Sequence, residues 1–398
     1  MFAIVLLLVL LSLPVVACAT YLFVLALFSR RPQVLRSPES RMRFDFIVPA
    51  HNEERGIAET VRSLLAVDYP VELRRVVVVA DNCGDSTAAR AEEAGALVLV
   101  RHDEKLRGKG HALKFAFDRF LSEGIAGVAV VVDADTVVSP NLLRAFAARI
   151  ESGAGAVQAE YGVRNPKASW RTRLMLIALA TFHGVRSLGR ERLGVSCGLR
   201  GNGMGFSRRI LTDVPYDAFS IVEDLEYGIR LALGGCAVRY VPEARVLGEM
   251  VSTERASRSQ RRRWEGGRYA LAKMHGGPLV RAALARREPV LLDMAMDLLV
   301  PPLTYVFGAA LVGAAASIAI VAAAGRYTAT VAPWVIAIGM VVVYVLRGVA
   351  LSGTGARGLL DLAWAPVYMT WKLALSLSSL KRSPGEWVRT AREDEKPQ

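Results

Sequence analysis

Asp133 and Asp135, one residue apart in "VVDADT", close a run of apolar residues that reads as a strand. On an extended chain, residues i and i+2 point the same way, so both carboxylates can approach one divalent cation, or one cation and a ribose. Hard oxygen ligands suit Mg2+ and Mn2+, and Mg2+ commonly shares them with substrate phosphates. A lone Asp-x-Asp describes solvated strand-capping acids just as well. Its weight therefore depends on its neighbours.

Several neighbours carry chemistry of their own. Glu53 and Asp81 end two other apolar runs, where a carboxylate can accept from a nucleobase N–H or from ribose hydroxyls. Taken alone, Glu53 reads as a helix-start acid and "DNCGDST" as a turn with an N-cap. Lys109 in "RGKGHAL" opens a helical pattern between two glycines, a place where phosphate can meet backbone N–H groups and an ammonium. The spacing is not that of the phosphate loop of nucleotide hydrolases. "IVEDLEYGIR" puts Glu223 and Asp224 at a helix start, ordinary for acids, yet an aspartate in a cleft can take a proton from an attacking hydroxyl. "SQRRRWEGGR" reads as a basic helix on anionic lipid, or as arginines that grip a diphosphate beside Trp264.

The elements that must position these residues follow from pattern. "FDFIVPA", "RRVVVVA", "ALVLV" and "VAVVVDAD" read as strands. Helical stretches over 53–66, 86–94, 109–121 and 141–150 lie between them. The alternation predicts βαβ units and a mainly parallel sheet, with ligands beyond the carboxyl ends of its strands. The polar clusters after the first, second and fourth strands then converge on one edge.

The 398 residues are 53% hydrophobic, with a mean hydropathy of +0.31, too apolar for an ordinary soluble enzyme. Residues 2–28 carry no charge and are long enough to span a bilayer; the positive start and short core of a signal peptide are missing. Arg30, Arg31, Arg36, Arg41 and Arg43 follow, which places the next domain in the cytoplasm. Apolar runs return at 291–324, 331–350 and 359–380. The first is too short for two spans, and three full crossings would put the basic tail outside, so either the positive-inside tendency is broken or one of about three segments is re-entrant or interfacial. The expected division is an N-terminal transmembrane helix over 1–29, a cytoplasmic α/β domain over 44–252, a basic interfacial region over 253–290, membrane segments over 291–380 and a polar tail over 381–398. The net charge of +13 suits a phosphorylated substrate or anionic lipid. No nucleic-acid-binding signature accompanies it. Cys18, Cys83, Cys197 and Cys236 lie too far apart for a zinc spacing or a disulfide framework.

In order, "VPAHNEE", "VADNCGDST", "GKGHAL", "DADT", "VED" and "QRRRW" resemble the family 2 inverting glycosyltransferases, in the membrane-bound branch with the cellulose, chitin and hyaluronan synthases. They span about 47–264. The resemblance implies a GT-A fold and a bound Mg2+ or Mn2+. It implies that Pro49, Ala50, His51, Glu53, Asp81, Lys109, Asp133, Gln260 and Arg263 meet a nucleotide-diphosphate sugar, most often a UDP-sugar. It makes Asp135 the metal ligand and Asp224 the catalytic base. Gly201, Asn202 and Gly203 of "GNGMGF", with Glu223 and Trp264, fall on the acceptor side, although the "GNGMGF" wording departs from that of hyaluronan and cellulose synthases. The expected product is a β-linked glycan of the cell envelope, made at a bacterial inner membrane, with an oligomer or partner subunit left open. Two rivals stand beside this: non-processive transfer to a lipid, as in ceramide glucosyltransferases, and a non-catalytic nucleotide-binding scaffold.

Overall fold

The computed structural model describes residues 2–37, 39–250 and 254–371. Its centre is a sheet of eight strands: β1 (Phe44–Ala50), β2 (Arg74–Asp81), β3 (Leu97–Arg101), β4 (Val128–Val131), β5 (Thr136–Val138), β6 (Ala156–Val163), β7 (Met204–Ser207) and β8 (Val238–Gly248). They lie in the order β3-β2-β1-β4-β7-β6-β8-β5. β1 to β4 are parallel, as the βαβ pattern predicts. β7 runs antiparallel to both β4 and β6, and β5 antiparallel to β8, so the whole sheet is mixed.

Strand apolarity without alternation reflects burial on both faces. Phe44, Phe46 and Val48 of β1 pack on one face, with Ile57, Val61 and Leu64. Ile47 packs on the other, with Leu113, Phe117 and Phe206. β4 divides likewise, Val128 and Val130 to the first face, Ala129 and Val131 to the second. Buried Asp45, on the second face, is held by a bidentate pair with Arg75 (2.7 and 2.8 Å).

Among the described residues, three helices are long and apolar enough to cross a membrane: Phe2–Phe28, Leu303–Ala324 and Thr328–Ser352. The apolar run 291–324 divides at Val300-Pro301-Pro302. A short helix, Pro289–Leu299, precedes the break, and a span-length helix follows it. In the run at 359–380 a short helix ends at Asp361, a 3-10 turn covers Leu362–Trp364 and residues 365–371 are helical again; the rest of the run, with the polar tail, lies outside the described residues. The four cysteines are free.

The spans are fastened to the sheet domain through the helical stretch Trp170–Arg192. Gly189 there approaches Leu25 of the N-terminal span so closely that a Cβ would stand 2.5 Å from its carbonyl oxygen. Arg186 donates to Tyr344 of the third span at 3.0 Å.

Candidate active site

Two asparagines shape the ends of the first two strands. Asn52 and Asn82 adopt left-handed backbone (φ 54° and 51°), which asparagine tolerates. The Asn52 side chain accepts from Gly84 N and that of Asn82 from Asp103 N, both at 2.8 Å. His51 is thereby turned so that Nδ1–H donates to the Asp81 carbonyl at 2.7 Å. The Asp81 carboxylate accepts from Arg101 (2.6 Å) and Asn82 (3.1 Å). The turn chemistry of "DNCGDST" belongs to Asp85, which accepts from Thr87 N and Glu54 N. Glu53 lies before its helix, which starts at Ile57.

"DADT" is not extended. β4 ends at Val131, and Asp133 to Asp135 form a turn into β5. Both aspartates still line one cavity, because the turn rather than a strand period presents them. Asn202 holds that turn from behind: its Oδ1 accepts from Asp133 N (3.2 Å) and its Nδ2 donates to Thr136 Oγ1 (2.8 Å).

Lys109 opens the helix Lys109–Glu123, as its pattern predicts. Gly110 is required there, since a Cβ would stand 2.3 Å from the Ala218 carbonyl oxygen. The ammonium donates to Asp133 Oδ1 and to the Gly201 carbonyl, each at 2.6 Å, and lies 3.5 Å from Glu223. Burial lowers its pKa, but Asp133 and Glu223 outweigh this and leave it raised, so Lys109 stays charged.

Glu223 and Asp224 begin the helix Glu223–Leu233. Burial pushes Glu223 up to about 7, with Lys109 opposing and Asp224 adding. Asp224 is also raised by burial, against the Leu225 backbone N–H, Lys109 and Arg200. Gly201 stands against it: a Cβ there would lie 3.4 Å from Asp224 Oδ2.

Gln260, Arg263 and half-exposed Trp264 project from the long helix Glu254–Arg286 into the same cavity. Burial lowers the Arg263 pKa, with Glu223 opposing. The cavity, ≈ 1190 Å³, thus brings together Pro49, Ala50, His51, Glu53, Asp81, Lys109, Asp133, Asp135, Gly201, Glu223, Asp224, Gln260, Arg263 and Trp264. Asn202 and Gly203 do not line it. Both are fully buried behind the turn, so in this structure their contacts are with the scaffold.

From Asp224 the cavity continues past Phe182, Arg186, Arg200 and Arg268 to Phe307, Val341 and Leu346 of the span-length helices. Sequence reading missed this limb. It could have been signalled by Arg186/Arg190 and Asp293/Asp297, two pairs with the same helical spacing of four and opposite charge. Arg186 pairs with Asp297 at 2.9 Å, and Arg190 with Asp293 at 2.6 Å.

Among the described residues no cluster of three His, Cys, Asp or Glu could hold a metal by itself. Two hard carboxylates at a cavity wall do fit a divalent cation that takes its remaining ligands from water and a diphosphate.

An open, partly parallel sheet with an acidic turn beyond β4 and a Glu-Asp helix start across the cleft defines a GT-A-type nucleotide-sugar transferase fold. The chain belongs to the family described as glycosyltransferase like family 2, whose model matches residues 41–267. It is 25% identical over 260 residues to the probable glycosyltransferase YdaM of Bacillus subtilis, covering 62% of this chain and 60% of that one. It is 31% identical over 232 residues to a beta-monoglucosyldiacylglycerol synthase of Synechocystis, covering 56% and 47%. The chain therefore spans about half the length of the curated relatives it matches. Among solved structures, the mannosyltransferase PcManGT of Pyrobaculum calidifontis, in complex with GDP-Man and Mn2+, shares the fold with a TM-score of 0.52 at 19% identity, covering 86% of this chain and 98% of that one.

Proposed function

We propose that this glycosyltransferase moves a sugar from a nucleotide-diphosphate sugar, a UDP-sugar by the family's commonest usage, to a hydroxyl of a membrane lipid, with inversion. The observation that carries the acceptor class is the continuity of the cavity, from Asp135 and Asp224 to apolar walls supplied by Phe307, Val341 and Leu346. A lipid held among the spans can reach the acids along one continuous cavity. The name of the Synechocystis relative, a glucosyldiacylglycerol synthase, supports the same class over a polysaccharide.

The residues suit the chemistry. Asp224 accepts the proton of the acceptor hydroxyl, whose oxygen attacks the anomeric carbon. The bond from that carbon to the diphosphate oxygen breaks, and one displacement converts an α-linked donor into a β-linked product. Charge gathers on the leaving diphosphate, and Arg263, which lines the cavity, would stabilise it. Lys109 orders the acids through Asp133 and the Gly201 carbonyl. Asp135, with Asp133 beside it, would hold the Mg2+ or Mn2+, which when bound supplies further neutralisation of the diphosphate. His51, Glu53 and Asp81, which line the cavity, would meet the nucleoside. The basic residues after the first span favour a cytoplasmic catalytic domain at a bacterial inner membrane.

The test is a panel of nucleotide sugars offered to purified protein with Mn2+ or Mg2+, with and without membrane lipid extract. Nucleoside diphosphate release from one donor that depends on lipid and labels it is the expected result. Release with sugar appearing only in a water-soluble polymer would overturn the lipid acceptor. No release from any donor would favour the scaffold reading.

A further inference from the structure

Between Asp224 and the span-lined limb, the cavity is walled by cations that the transfer chemistry above does not use. The guanidinium carbons of Arg186, Arg200 and Arg268 stand 4.5, 5.1 and 5.7 Å from the centroid of one ring, Phe182. With Arg190 behind them, four arginines face two carboxylates. Asp297 pairs with Arg186 (2.9 Å) and Arg190 (3.2 Å), and Asp293 with Arg190 (2.6 Å). Among the described residues, no carboxylate pairs with Arg200 or Arg268. Arg200 is only 8% exposed, and its Nη2 reaches neutral groups, the Cys197 carbonyl (2.9 Å) and Ser187 Oγ (3.4 Å). Its Nε has no hydrogen-bond partner. Arg268 donates to the Asp297 backbone carbonyl. Burial pushes Arg268 down to about 10, and Arg186, Arg200 and Arg190 add to this against Asp297. His183, on the same wall, leaves Nδ1 unpartnered.

Two carboxylates leave the four arginines with an excess of positive charge, and a buried guanidinium such as Arg200, whose hydrogen bonds reach only neutral groups, is costly unless an anion completes it. The planar fork of arginine matches the oxygens of a phosphate two at a time. Arg200 directly precedes Gly201, which packs at Asp224, so an anion here sits beside the hydroxyl that Asp224 would deprotonate.

We propose that Arg186, Arg200 and Arg268 form a phosphate subsite for the acceptor, so that the acceptor is a lipid with a phosphate-bearing headgroup rather than neutral diacylglycerol. This rests on the lipid-acceptor reading above. The lipid's apolar chains occupy the limb toward Phe307 and Val341, its phosphate meets the arginines, and its hydroxyl faces Asp224.

The test reads binding, independently of any sugar donor. Full-length protein in a non-ionic detergent is titrated with dioleoylphosphatidylglycerol, dioleoylglycerol or inorganic phosphate, and occupancy is followed by native mass spectrometry and thermal stability. Phosphatidylglycerol should bind saturably, and dioleoylglycerol about tenfold more weakly or worse, since a charge-assisted bidentate contact is lost. Arg200→Gln and Arg268→Gln should each weaken phosphatidylglycerol to about the same extent while leaving dioleoylglycerol unchanged. Equal binding of the two lipids by the unaltered protein overturns the proposal, even if neither variant folds. Inorganic phosphate that binds as tightly as phosphatidylglycerol, with the same sensitivity to both variants, overturns the lipid source. Loss of UDP binding in the variants with unchanged phosphatidylglycerol binding assigns the arginines to the donor and overturns it too. If phosphatidylglycerol binds as expected but no sugar is transferred from any donor, the subsite stands and the transfer reading fails.

Discussion

Lys109 Nζ lies 2.6 Å from Asp133 Oδ1, and this one ion pair joins the start of a helix to the acidic turn beyond β4. The same ammonium reaches the Gly201 carbonyl and Glu223, so four separate segments meet at one charge. Lys109 thereby balances Asp133 and fixes the loop that packs against Asp224. A sequence motif that suggests phosphate binding here supplies internal order to the acids.

Replacing Lys109 by Met should therefore cost stability as well as activity. Asp133 and Glu223 would lose their shared counter-charge. The side chain is 24% exposed, so the loss falls below that of a fully buried pair; about 1–3 kcal/mol is expected. Denaturant unfolding in detergent measures it. A variant as stable as the unaltered protein would show that the ion pair contributes nothing.

Glu223 and Asp224 should make activity and stability move in opposite directions with pH. The Glu223 carboxyl is raised from 4.5 to about 7, chiefly by burial. Its contribution to stability is full below its unfolded value near 4.5 and is lost as pH rises through about 7. Asp224, also raised by burial, must be ionised to accept a proton, so transfer should increase with pH as that carboxyl ionises. Unfolding temperature and transfer rate, each measured against pH, should move in opposite directions. Glu223→Gln should flatten the stability profile.

The half of the sheet that the sequence displays is the half built from uninterrupted apolar runs. β1 to β4 and the helices between them are local, and their turn residues punctuate them. β7, only Met204–Ser207, contains Gly205 and is a strand by virtue of its antiparallel partners β4 and β6, which no local pattern displays. The acids and the Gln-x-x-Arg-Trp stretch were legible because short spacings carry them. The turn geometry at Asp133–Asp135 was not, since a strand and a turn present the same apolar run followed by acids. The arginine cluster was hidden because Arg186 and Asp297 stand 111 residues apart.

Asp135→Ala should remove metal-dependent turnover while leaving the fold intact, because the residue sits in a turn at the cavity wall. A fall in transfer of about a hundredfold or more is expected, with weaker Mn2+ binding in the presence of nucleotide. Undiminished, chelator-sensitive transfer would remove Asp135 as the ligand.

Gly189→Ala tests how the N-terminal span is seated on the domain. The added methyl would stand 2.5 Å from the Leu25 carbonyl oxygen and 2.9 Å from its Cα. Backbone must shift to accept it, at a cost of about 1–3 kcal/mol. A lowered unfolding temperature in detergent is expected; an unchanged one would mean that the span is not held against this helix.

Asp297→Asn should be the most damaging of these substitutions to folding. The carboxylate is 1% exposed and is the counter-charge of both Arg186 and Arg190. Burial raises its pKa, but Arg190, Arg268, Arg186 and Arg200 together hold it well below its ordinary 3.8. A depressed carboxyl contributes stability above its unfolded value and loses it only as pH falls through the folded one. The contribution of Asp297 is therefore constant over roughly pH 5 to 9, unlike that of Glu223. Breaking a buried pair of this kind costs about 3–5 kcal/mol. Unfolding of the variant at several pH values separates the two acids: a uniform loss across the range is the signature of Asp297. A loss confined to low pH would mean that the arginines are balanced elsewhere.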